Sequence, residues 1–197
     1  MPDYNVNPTD GDLFANGFSS GPQHYNAWES ERQRMQRIRG EVLSVVFEVE
    51  SSIDYAIADC VLPRTTIRSP SSLVKRHSLF QNEILTHFDF RKKIEILESL
   101  LSQRFPRREK DIRKLISLMN RIRSVRNRMA HSPVYFEALE KPVSARWLRP
   151  HLMTPKGMIH ISDGYLRDFR RNSLEAVTLL RQLMRLGIKR KPTEIEI

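Results

Sequence analysis

Apolar side chains recur between residues 35 and 56 at alternating spacings of three and four. Side chains at this period share one face of an α-helix, so the segment from about Trp28 to Asp59 is predicted to be one amphipathic helix. Pro63 ends it at the latest. A face of this length needs other helices to cover it, which predicts a helical bundle. The face consists of Met35, Ile38, Val42, Val45, Val49, Ser52 and Ala56.

Four further segments have the helical period or helix-capping residues. Asp89 is the predicted N-cap of the third helix, and Pro106 stops that helix. Gly187 is predicted to end the last one. In the second helix, the side chains predicted to face inward are Leu73, His77, Phe80, Ile84 and Leu85. The predicted segments begin at Ser71 or Ser72, after Asp89, at about Arg107 and at Ser162 or Asp163.

The period changes between the fourth and the last helix. Residues 133–142 are predicted to be a loop, and 145–152 and 158–162 two short strands. They are joined around Thr154-Pro155-Lys156-Gly157, where Pro second and Gly fourth suit a type I turn. An isolated hairpin is marginally stable, so it must pack on the helices. The predicted fold is mainly all-α, an antiparallel bundle of four to five helices with a small β-hairpin before the last helix.

With 197 residues the chain suits one domain. We predict that the bundle spans residues 27–187. Residues 1–26 are rich in Asn, Asp, Gly, Ser and Pro and have no apolar period, which predicts a disordered or loosely packed segment. Residues 188–197 are predicted to be a short tail.

Positive charge is concentrated in one part of the chain. The formal net charge is +10, whereas residues 1–29 hold four acidic residues and no Lys or Arg. Residues 104–131 hold ten Lys or Arg against Glu109 and Asp111, a net charge of +8. Such a concentration favours a polyanionic partner, because neutralising phosphates releases their counterions. The alternative is an ordinary solvated basic face.

Several classes of protein are excluded or disfavoured. Cys60 is the only cysteine, so neither an intramolecular disulfide nor a Cys-based zinc site is possible. No signal peptide is visible, and no stretch approaches the roughly 20 apolar residues that span a bilayer. The chain is therefore expected to be cytoplasmic and without a membrane partner. No metal-binding His cluster or phosphate loop is present, and no cofactor or metal is expected.

Arg126, Asn127 and His131 stand near the end of the predicted fourth helix. At about 100° per residue, Arg126 falls in the middle of the apolar stripe of that helix. A guanidinium aimed at a sealed core is unfavourable, so Arg126 is predicted to face a wet cleft or an acidic partner. Pro133 disfavours the α conformation at Ser132, which makes His131 the last helical residue. The stripe consists of Ile112, Leu115, Ile116, Met119, Ile122 and Met129.

This arrangement, Arg126-Asn127 followed after three residues by His131, resembles the RNxxxH signature of HEPN-domain proteins. The resemblance covers about six residues as motif and residues 27–187 as architecture. It implies a helical bundle with the motif at the end of a long helix, and a metal-independent ribonuclease. In one toxin branch of the family a Tyr two residues after the His is modified. That position is Pro133 here, and the nearest Tyr is Tyr135.

The resemblance also implies a homodimer in which two motifs face one cleft. His131 would act as acid or base, since an imidazole transfers protons in either direction near neutral pH. Arg126 would stabilise the phosphate, and Asn127 would either orient His131 or contact a phosphate. The predicted RNA-binding residues on the same helix are Lys114, Arg121, Arg123 and Arg128. By analogy with the family, a toxin or anti-phage role and a regulatory or antitoxin partner are expected.

Two other interpretations compete with the enzyme. In a non-catalytic bundle, Arg126 would form a buried ion pair with Glu48, Glu50 or Asp54 of the first helix. His131 would then only complement the helix dipole. In a basic adaptor, the chain would bind nucleic acid with a steep salt dependence and leave it intact.

Overall fold

Helices and one small antiparallel sheet make up the residues that the computed structural model describes, which are 22–62, 78–143 and 146–188. The strands are β1 (Val134–Val143), β2 (Arg146–Thr154) and β3 (Gly157–His160). The helices in these ranges are α1 (Pro22–Val61), α2 (residues 78–83), α3 (Phe90–Arg104), α4 (Glu109–His131) and α5 (Asp163–Ile188). The chain is thus mainly helical, as predicted.

α1 is the helix around which the others pack. It contacts α3, α4, α5 and β2, and its buried face includes Ile53, Ala56 and Ile57. The predicted face is right at five positions, but Val46 and Ile53 are buried in place of Val45 and Ser52. At these two positions the buried residue is the next one along the chain. The adjacent apolar residues Val45 and Val46 permit this change, which brings the larger Ile53 into the core. None of the helices in the described ranges has the length and apolar character needed to cross a bilayer.

Helix ends follow the local sequence signals. Asp89 is the N-cap of α3, and its carboxylate accepts a hydrogen bond from the Lys92 amide at 2.7 Å. α3 ends at Arg104, and a 3-10 turn over Pro106–Arg108 leads into α4. α4 ends at His131 as predicted, because Ser132 takes an extended conformation before Pro133.

The second predicted helix is only partly as expected. Leu85 is buried, but Ile84, which was predicted to face inward, is 44% exposed. Helical residues end at 83, and a 3-10 turn over Leu85–His87 follows. The tighter turn changes the direction of successive side chains, which explains the error. Leu73 and His77 lie outside the described residues.

The sheet has three strands in the order β1-β2-β3, where the sequence predicted a two-stranded hairpin. The prediction of a loop over residues 133–142 is wrong, since β1 occupies Val134–Val143. Pro133 and Pro142 suggested a loop, yet Val134 and Phe136 are partly buried and alternate with exposed Tyr135. The β2–β3 turn is where it was predicted. Gly157 has a φ of 115°, in the left-handed region that favours glycine.

A buried ionic cluster joins α3 to α1. The Lys93 ammonium, whose side chain is 6% exposed, lies 2.8 Å from Glu50 and 2.9 Å from Asp54. Burial lowers the pKa of Lys93, but hydrogen bonds to the two carboxylates outweigh it and raise that pKa above its usual value. Burial raises the pKa of Asp54. A raised lysine pKa stabilises the fold below its unfolded pKa and loses that contribution as the pH rises through the folded value.

Replacing Lys93 by Met should lower the free energy of unfolding by about 3 kcal/mol, because two partly buried carboxylates lose their buried cation. Burial already raises the pKa of Asp54, and loss of the ammonium that opposes this would raise it further, so the variant should regain stability between about pH 7 and about pH 5. Urea denaturation at both pH values measures this. Lys92→Met is the control, since Lys92 is 55% exposed. Equal losses in the two variants would contradict the prediction.

Candidate functional site

A groove lies between the C-terminal half of α4 and the β2–β3 turn. Its volume is about 440 Å³. The helix supplies the charged and polar side chains, and the turn closes the far side. The residues that line it are Arg123, Ser124, Asn127, Arg128, His131, Ser132, Thr154 and Pro155. None of these residues is acidic and two are arginines, so the groove is positively charged. It is open to solvent at the end of the helix.

The structure places two of the three motif residues in this groove. Asn127 and His131 line it and are both exposed. Arg126 is half-buried and is not among the lining residues, because it lies on the flank of the helix. Its Nη1 donates to the Asn127 Oδ1 at 3.2 Å. Arg126 therefore contacts the groove through the side-chain amide of Asn127.

The position of Arg126 follows from a rotation of the buried face of α4. The first half of the helix buries a broad face with Ile116 and Leu118 at its two edges, whereas the second half buries only the side of Leu118, with Ile122, Val125 and Met129. Arg126 falls at the border of the buried face near the end of the helix. In the described ranges no carboxylate lies within 4 Å of its guanidinium, and Glu50 and Asp54 are bound by Lys93 instead. The buried ion pair with these two residues is therefore not formed.

Arg39 of α1 holds the end of α4, which the sequence did not predict. Its Nη2 donates to the Ser132 carbonyl, the first after His131. This hydrogen bond satisfies a carbonyl that the helix leaves unpaired at its C-terminus. The Arg39 Nε is buried without a partner among the described residues. The sequence does contain a signal for this contact. Arg39 stands between Met35 and Val42 at helical spacing, which places it on the edge of the buried face.

The four predicted RNA-binding residues lie in different surroundings. Arg123 and Arg128 line the groove, and Arg121 is exposed outside it. No carboxylate in the described part of the chain lies within 4 Å of these three guanidinium groups. Lys114 forms an ion pair with Glu175 at 2.5 Å, and this hydrogen bond raises the Lys114 pKa. Glu175 therefore competes with a phosphate for the Lys114 ammonium group.

Arg128 is positioned by two contacts. Its Nε donates to the Ser124 carbonyl at 3.1 Å, and its guanidinium carbon lies 5.9 Å from the centre of the Tyr165 ring. The Tyr165 hydroxyl is buried without a partner among the described residues, and burial raises its pKa, although Arg128 partly opposes this. These contacts hold Arg128 at the groove while its remaining N–H groups stay available.

The arrangement can bind an anion and offers an imidazole beside it. Within the described ranges, no group of three or more His, Cys, Asp or Glu is placed to hold a metal ion. No family model, curated protein or solved structure matches the chain.

Replacing Arg39 by Ala should loosen the end of α4. Loss of a charge-assisted hydrogen bond is expected to cost about 2 kcal/mol in the free energy of unfolding. Amide hydrogen exchange should also become faster at Met129–His131 than in the rest of α4. Arg37→Ala is the control, because Arg37 is an exposed neighbour on the same helix. Unchanged exchange in the Arg39 variant would show that this contact does not hold the helix end.

Proposed function

We propose that this protein is an RNA-binding, metal-independent endoribonuclease of the HEPN type, with His131, Asn127 and Arg126 at its active site. The observation that carries the proposal is the groove, in which Asn127 and His131 stand beside Arg123 and Arg128 with no lining carboxylate. Guanidinium groups bind phosphate oxygens through paired N–H donors. An RNA backbone is the polyanion that this groove fits, and a 2′-hydroxyl is the nucleophile that an imidazole can activate.

The proposed chemistry is transfer of the 2′-hydroxyl proton and attack of that oxygen on the adjacent phosphorus, with release of the 5′-oxygen. His131 removes or supplies a proton, because an imidazole nitrogen can both accept and donate one. Asn127 is held by Arg126 and can present its N–H₂ group to a phosphate or to the imidazole. Charge on the pentacoordinate phosphate is stabilised by the arginines.

The active site is proposed to be completed in a homodimer. One chain supplies one motif histidine, whereas the reaction needs an acid and a base. Arg126 lies on the flank of α4, outside the groove of its own chain, and has no carboxylate within 4 Å among the described residues. A second copy packed on the end of α4, which carries both Arg126 and His131, would bring two arginines and two histidines to one cleft.

A non-catalytic RNA-binding bundle is the second candidate. The observation that favours it is that Arg126 does not line the groove, so one chain does not assemble the whole motif. A toxin or anti-phage role, restrained by a regulatory or antitoxin protein, belongs to the first proposal through the family resemblance alone. An acidic partner would suit the basic helix.

Cleavage of a structured RNA in excess chelator should separate the two candidates. His131→Ala should lower the rate at least about 100-fold, the usual contribution of a general acid or base. Arg126→Ala and Asn127→Ala should also lower the rate while the thermal melting temperature stays close to that of the native chain. His87→Ala and Arg91→Ala are matched controls, since both residues are exposed outside the groove. Equal cleavage by folded His131→Ala and native chains would refute the catalytic assignment.

The salt dependence of RNA binding should distinguish the two groove arginines, Arg123 and Arg128, from Lys114. Each of Arg123→Ala and Arg128→Ala should reduce the slope of log affinity against log salt by about 1, because one phosphate contact is lost. Lys114→Ala should change the slope little, since Glu175 already neutralises this ammonium. Fluorescence titrations over a range of salt concentrations measure the slopes. An effect of Lys114→Ala as large as that of Arg123→Ala would place the RNA elsewhere.

A further inference from the structure

The outward face of the sheet carries three rings in one row across the strands. Tyr135 of β1 is the cross-strand partner of His151 of β2, and His151 is the partner of His160 of β3. The two histidine rings lie 5.2 Å apart between centroids. The His160 Nδ1 lies 3.2 Å from the Pro150 carbonyl, which fixes the orientation of that ring. The row is therefore ordered by the sheet.

This face is open to solvent. Tyr135 is 41% exposed, and in the next row Met153 and its partner Met158 are 49% and 60% exposed. The opposite face of the sheet packs on the helices through Leu152 and Ile159. Aromatic and thioether side chains are thus left uncovered by the described part of the chain, next to polar side chains.

The charge on this face suits an anionic ligand. Glu137 is the acidic side chain near the row, and it is bound by His151 at 3.1 Å and by Arg149 at 3.7 Å. Lys156 is exposed in the β2–β3 turn, beside the methionine row. Arg149 therefore offsets the charge of Glu137, and Lys156 adds a positive charge at the turn end of this face.

The face and the groove adjoin at the β2–β3 turn. Thr154 and Pro155 of the β2–β3 turn line the groove, and Met153 and Met158 are the next cross-strand pair along the same hairpin. A strand whose phosphates lie on Arg123 and Arg128 would cross this turn and reach the row of rings.

We propose that the outward face of the sheet is a stacking surface for the bases of single-stranded RNA, with Tyr135 and His160 as the exposed rings. The proposal rests on the function proposed above, since the groove binds the backbone while this face binds the bases. Aromatic rings stack on any base, so the surface adds affinity with little sequence preference. It favours unpaired over duplex RNA, whose bases are already stacked.

The test compares two oligomers of equal length, a 2′-O-methylated oligouridylate and the corresponding abasic oligomer. Neither offers a free 2′-hydroxyl for attack, so fluorescence anisotropy reports binding alone. Tyr135→Leu, which keeps an apolar side chain, should weaken binding of the oligouridylate about tenfold and leave the abasic oligomer unchanged. Tyr135→Phe should bind both as the native chain does. Phe47→Leu is the control, because Phe47 is 71% exposed on α1.

Other outcomes overturn the proposal in distinguishable ways. If Tyr135→Leu binds the oligouridylate normally while Arg123→Ala/Arg128→Ala loses affinity for both oligomers, the stacking surface is wrong and the groove stands. If neither variant changes binding, both proposals fail. If Tyr135→Leu changes the sedimentation coefficient of the RNA-free chain, the face is a contact between two copies. If Tyr135→Leu is unfolded, His160→Ala replaces it, and normal oligouridylate binding by that variant refutes the proposal.

Discussion

Burial of the apolar face of α1 is the constraint on which the rest of the structure depends. α3, α4, α5 and the sheet each cover part of that face, and α4 also packs against α3 and α5. Apolar burial is the main favourable contribution to folding, so the positions of the shorter elements are set by this helix. The groove is a consequence, because it forms where α4 ends against a sheet that also packs on α1.

Much of the fold could be predicted from local chemistry. Asp89, Pro106 and Pro133 act on their immediate neighbours, so the helix limits they set are right. The same locality explains the errors. β1 was missed because Pro133 before it and Pro142 within it suggested a loop, although pairing with β2 makes it a strand. The frame of α1 depends on which of two adjacent valines fits its neighbours, and only the packed structure decides that.

The candidate site was predictable as a set of residues but not as an arrangement. Helical geometry fixes the angle between Arg126 and His131, and the sequence placed both near the end of α4. The sequence could not show that the buried face turns along α4 and leaves Arg126 on the flank. It also could not show that Lys114 pairs with Glu175 of α5. Arg39 depends on contact between residues 93 positions apart, beyond any local pattern.

One long helix links the buried ionic cluster to the groove. Asp54 near its end binds Lys93, and Arg39 farther back binds the Ser132 carbonyl, roughly 22 Å away along the axis at the usual helical rise. An intact helix is stiff over such a distance. Sliding or twisting of α1 is therefore opposed at two anchor points, and the backbone next to His131 is held by a helix that Lys93 also keeps from shifting.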